Sequence, residues 1–95
     1  MYYLKLSGFI PENKQREFEQ TYRLVSTQIP RICGNYNISK DALDEGVYHF
    51  ISYWNFLTQL QSFKKSAPFM MVIGAFRTLG ELRENRTGEM TEVKI

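Results

Sequence analysis

YWNFLTQLQSFKKSAPFMMVIGAFRTLG, Tyr53–Gly80, decides how the rest of the chain must be arranged. Its second half contains FMMVIGAF, Phe69–Phe76, eight residues with no charge and no turn. That run is too short to cross a bilayer, which takes about 20 residues as a helix. It must therefore be covered on more than one side by the domain's own core, a second subunit or a small ligand. Asn55 is placed to cap a first helix, with Leu57, Leu60 and Phe63 on one face. Ser66 is placed to cap a second, with Pro68 tolerated in its first turn and Gly80 at its end. Two helices in succession are thus predicted, the second of them strongly apolar.

Outward from this stretch the pattern changes period. VYHFISYW, Val47–Trp54, is the strongest strand signal in the chain, rich in β-branched and aromatic residues. DALDEG before it reads as a turn. Arg31–Lys40 alternates weakly and reads as a strand. PENKQREFEQTYRLVSTQI places Phe18, Tyr22, Val25 and Ile29 at helical spacing, with Pro11 at the start and Pro30 at the end. YYLKLSGFI, Tyr2–Ile10, reads as a first strand, with Leu4 and Leu6 on one face and Tyr3, Lys5, Ser7 and Phe9 on the other. After Gly80, ELRENR reads as a polar link and TGEMTEVKI as a last strand. The order is β-α-β-β-α(α)-β over a single domain, residues 1–95. This is an α+β, ferredoxin-like arrangement with an extra helix before the last strand. The helices cover one face of the sheet, so the other face, carrying Tyr, Phe and polar groups, needs a role.

Composition narrows the function classes. The chain has 95 residues, 43% hydrophobic and 15% aromatic, with a net charge of +2. A domain this small buries only about 60–65% of its unfolded surface, so dimerisation is a natural source of stability. Basic and acidic residues alternate, and the only adjacent basic pair in the Tyr53–Gly80 stretch is Lys64–Lys65, so no nucleic-acid partner is expected. A single cysteine, Cys33, excludes an internal disulfide framework and reads as a small buried hydrophobe. No Cys/His cluster has zinc spacing, so no metal is expected. The start, MYYLKLSGF, lacks the pattern of a signal peptide, and no membrane span is expected, which leaves a cytoplasmic location as the default.

The strand ending in Trp54, the helix Asn55–Lys65, the break at Ser66, then Phe69 and the apolar run to Phe76 together resemble the antibiotic-biosynthesis-monooxygenase-type family of dimeric α/β-barrel proteins. PRICGNY echoes the family's turn into the second strand, without its usual Pro-Gly. The resemblance implies a homodimer with the two sheets facing each other. It also implies a pocket between sheet and helices for a small aromatic or polycyclic molecule. Some members degrade haem using an Asn, a Trp and a ligand His. Aligned on this phrase those places hold Lys5 or Ser7, Phe63 and Ile73, and isoleucine cannot bind iron. Other members oxidise aromatic substrates with neither metal nor flavin, so no cofactor is expected.

On that reading the pocket is expected to draw on Ser7, Asn35, Tyr36, Asn37, Phe50, Tyr53, Phe63, Phe69, Ile73 and Phe76. His49, the only histidine, is the candidate base near neutral pH. Ser52 is the second catalytic candidate, although the resemblance implies an acid there in many relatives and a serine cannot act as a carboxylate base. Two alternatives stay open. One is a non-catalytic dimer that binds a metabolite or a protein. The other is an RNA-recognition module, whose third-strand aromatics Tyr48, Phe50 and Tyr53 loosely imitate but whose glycines are missing.

Overall fold

Residues 1–29 and 35–93 are described by a computed structural model of the chain. Three expectations fall outside them: the helix stop at Pro30, the first residues of the strand expected from Arg31, and the burial of Cys33.

The elements run β1 (Tyr2–Phe9), α1 (Glu12–Ser26), β2 (Asn35–Lys40), β3 (Val47–Trp54), α2 (Leu57–Phe63), α3 (Ala67–Leu79) and β4 (Glu81–Glu89). The four strands form one sheet in the order β2-β3-β1-β4, and every neighbouring pair is antiparallel. This is the ferredoxin-like layout expected from the sequence. The two central strands are those with the most apolar residues, as a sheet covered on one side requires.

Alternation along the strands divides the sheet into two faces. Leu4, Leu6, Tyr48, Phe50, Ser52 and Trp54 share one face through the β1–β3 register and are all buried. The helices lie on this side. Phe18 of α1 stacks 4.8 Å from both Tyr48 and Phe76, and Phe63 bridges Trp54 and Phe69 at 5.0 and 5.6 Å. Each such ring contributes about 1.5–3 kcal/mol through burial alone.

The apolar run is now accounted for. In α3, Phe69, Val72, Ile73, Ala75 and Phe76 are buried against the sheet and α1, while Met70 is 56% exposed. Ser66 caps the helix as expected, its hydroxyl accepting from the Phe69 N–H at 3.4 Å. Gly74 is not a point of close approach among the described residues, since a Cβ there would meet none of them within 4 Å.

Three boundaries differ from the sequence reading. α1 ends at Ser26, so Ile29 is buried from the turn that follows, not from the helix. α2 starts at Leu57 after an extended Phe56, and Asn55 forms no cap. β4 occupies the stretch read as a polar link, while Met90–Val93 lies beyond the strand. The physical reason is that β4 is an edge strand. Among the described residues it pairs only with β1, and it contributes Leu82 to the core, so its other side chains can be charged, as edge strands favour. A bulge between Ser7 and Gly8 adjusts its register. Glycine is required at position 8, since a Cβ there would sit 2.4 Å from the Glu81 carbonyl oxygen.

Candidate functional site

Among the described residues, no helix lies over the other face of the sheet. β1 and β3 present Tyr3, Lys5, Ser7 and Phe9 opposite Tyr53, Ile51, His49 and Val47, and β2 adds Asn35, Asn37 and Ser39. β4 completes the row with Glu84 opposite Ser7 and Arg86 opposite Lys5. Apolar rings and aliphatic chains therefore alternate with a band of polar groups.

His49 is the centre of that band. Asp41 lies at the start of the β2–β3 turn, where its Oδ1 accepts from the backbone N–H groups of Leu43 and Asp44, each at 2.9 Å. This anchors the carboxylate so that Oδ2 meets His49 Nε2 at 2.9 Å. A carboxylate can only accept, so Nε2 carries the proton, and in the neutral ring Nδ1 holds the lone pair. Nδ1 is buried and has no hydrogen-bond partner among the described residues. The bond from His49, followed by the two backbone N–H groups, holds the Asp41 carboxyl down at about 2, against 3.8 for the free group. A depressed folded-state value stabilises the fold above about pH 4 and loses that effect as pH falls through the folded value. Between pH 5 and 2, urea midpoints of the wild type are therefore expected to fall faster than those of Asp41→Asn, and the two to converge near pH 2. Parallel curves would show that the pair contributes nothing to stability.

Beside this pair, Ser7 donates to Glu84 Oε1 at 3.3 Å, and Lys5 and Arg86 reach the same carboxylate at 3.2 and 3.6 Å. Burial pushes the Glu84 carboxyl up, but Lys5, Arg86 and Ser7 outweigh it and lower it overall. Two hollows open on this side. One, of about 360 Å³, is lined by Tyr3, Lys5, Ile51, Tyr53, Arg86, Glu89 and Met90. The other, of about 600 Å³, lies at the edge among Met1, Asn35, Tyr53 and Asn55.

The structure separates the residues expected to share one pocket. Ser7, Asn35, Asn37, His49 and Tyr53 are on the open face. Phe50, Phe63, Phe69, Ile73 and Phe76 are packed in the core on the opposite side. Tyr36 is half-buried on the helix side, its hydroxyl donating to the Ser26 carbonyl at 3.4 Å. Ser52 is sealed in the core, and its Oγ accepts the Trp54 indole N–H at 3.0 Å. One chain does not bring these two groups together, because strand alternation sends neighbours to opposite faces. Asp41, Glu84, Tyr3, Ile51 and Arg86 join the site without having been singled out as site residues. The alternation in YYLKLSGF already put Tyr3 on the outer face. The Asp41–His49 pair depends on hairpin register, which no local motif encodes.

No protein-family model and no curated protein matches the chain. Solved structures do. A protein from Deinococcus radiodurans, provisionally named an antibiotic biosynthesis monooxygenase, superposes with a TM-score of 0.82 at 16% identity. The alignment covers 100% of this chain and 97% of that one. The chain has the antibiotic-biosynthesis-monooxygenase fold. A second structure named antibiotic biosynthesis monooxygenase gives a TM-score of 0.77 at 19% identity, covering 99% and 100% of the two chains. A conserved protein from Methanosarcina mazei gives 0.74 at 12% identity, over 92% and 87%. That fold accounts for both layers and for the four strands of the described residues. Among the described residues no group of three or more His, Cys, Asp or Glu side chains is placed to hold a metal ion. No helix of the described residues is long and apolar enough to cross a membrane.

Proposed function

We propose that two copies of this chain close their open sheet faces on each other. The space between them takes a small aromatic or polycyclic molecule for cofactor-independent oxygenation. The observation that carries this reading is the open face itself. The molecule is only 17 Å across its thin axis, the depth of one sheet and one helical layer. The uncovered side bears Tyr3, Phe9, Ile51 and Tyr53 around an oriented Asp–His pair. A second sheet would supply the missing layer, and hollows of about 360 and 600 Å³ fall within the range of small-molecule sites. The names carried by proteins of the same fold point to the same reaction type.

In such a reaction His49 takes a proton from an acidic carbon or phenol of the substrate. The resulting anion reduces dioxygen, leaving one oxygen atom in the product and the other in water. Lys5 and Arg86 supply positive charge beside the developing anion. Oxygen uptake with phenolic polycyclic ketones tests this. His49→Ala is expected to lower kcat about a hundredfold, the usual scale for loss of a general base. Unchanged turnover would remove His49 from the mechanism. A second reading, a dimer that binds such a molecule without turning it over, is favoured by one detail. Nδ1 is covered in the single chain, and a base must reach the proton it takes.

A further inference from the structure

A separate cleft lies on the helix side, between α1, the edge strand β2 and its neighbour β3. It encloses about 330 Å³, with Glu19, Tyr22 and Arg23 on one wall and Ile38, Lys40 and Tyr48 among those opposite. Its floor is built in advance. Tyr48 is 3% exposed, its ring held 4.8 Å from Phe18, and its hydroxyl donates to Glu19 Oε2 at 2.5 Å. Lys40 reaches the same oxygen at 3.3 Å and stands 5.6 Å over the Tyr48 ring. Glu19 is thus already matched by a cation and a phenol. One turn further along α1, Arg23 forms no ion pair among the described residues, and its charge reaches Glu19 only through space. The cleft therefore offers apolar walls, Tyr22 and Ile38, beside a guanidinium that holds no ion pair among the described residues.

We infer that this cleft is a binding site for a small aromatic carboxylate, its ring between Tyr22 and Ile38 and its carboxylate on Arg23. The volume lies at the lower end of the ~300–1,000 Å³ that small-molecule sites occupy, which admits one ring with short substituents. Arginine's planar fork matches a carboxylate with two parallel hydrogen bonds, which a neutral amide cannot reproduce. The site lies across the sheet from the open face, and of the open-face residues only Ser39 of the edge strand β2 also borders it.

The test is a titration of the ¹⁵N-labelled protein with 4-hydroxybenzoate, followed by amide shifts, with 4-hydroxybenzamide as the uncharged control. Saturable shifts are expected in residues 19–23 and 38–40. The amide is expected to bind about tenfold more weakly, and Arg23→Gln to weaken the acid by a similar factor and abolish the difference between the two probes. Arg23 is on the surface, so the variant keeps its fold, which its own spectrum verifies. Shifts confined to Tyr3, Ile51 and Tyr53 would overturn the inference while supporting the open-face site. Equal binding of acid and amide, or no shifts up to roughly 10 mM, beyond the millimolar range of weak ligands, would overturn it as well.

Discussion

Phe76→Ala is expected to destabilise the fold by about 3–5 kcal/mol, the range for deleting a buried aromatic ring. Phe76 is fully buried and packs 4.8 Å from Phe18, so its loss opens a cavity where α1, α3 and the sheet meet. Its ring also lies against Gly8 of β1, where a Cβ would come within 2.7 Å of it. The neighbours are backbone and large rings, which cannot collapse into the space. A domain of this size has a total stability of roughly 5–15 kcal/mol, so the variant sits near the edge of folding. Thermal unfolding should show a fall in Tm of more than ~12 °C. A fall of only a few degrees would mean that Phe76 faces a space already open, and that the apolar run lines a pocket after all.

The second large effect concerns the open face. Ile51 lies in the middle of β3, opposite Lys5 on one side and Asn37 on the other. Arginine there finds no carboxylate directly across the sheet and lies beside an existing lysine. In a single chain it remains hydrated, and the cost is about that of one like-charge pair, below ~1 kcal/mol. In a closed pair of sheets it would be desolvated and unpaired, at about 3–5 kcal/mol. Ile51→Arg is therefore expected to raise the dimer dissociation constant at least about a hundredfold while leaving the far-ultraviolet circular dichroism unchanged. Loss of fold together with loss of dimer would instead assign Ile51 to the core of the single chain.

What could be read from the sequence depended on how local its cause was. The β1 faces were legible because Leu4 and Leu6 alternate with Tyr3 and Lys5, and the α3 cap because Ser66 directly precedes a helical run. β4 was hidden because an edge strand needs few apolar residues, and ELRENR has the composition of a link. The aromatic residues misled for a related reason. Phe50 and Tyr53 are three apart in one strand, so they point to opposite sides, and only the position of the helices says which side is core. His49 stood out as the sole histidine. Its partner Asp41 is eight residues away and becomes visible only once the hairpin register is known.

Sedimentation velocity on the untagged protein at low micromolar concentration is the most direct test of the open sheet face as a dimer interface. A single species of twice 11.2 kDa, converted by Ile51→Arg to one of 11.2 kDa, is the result predicted. A wild-type protein that sediments as an 11.2 kDa monomer would contradict it, and with it the proposal that the ligand is held between two sheets.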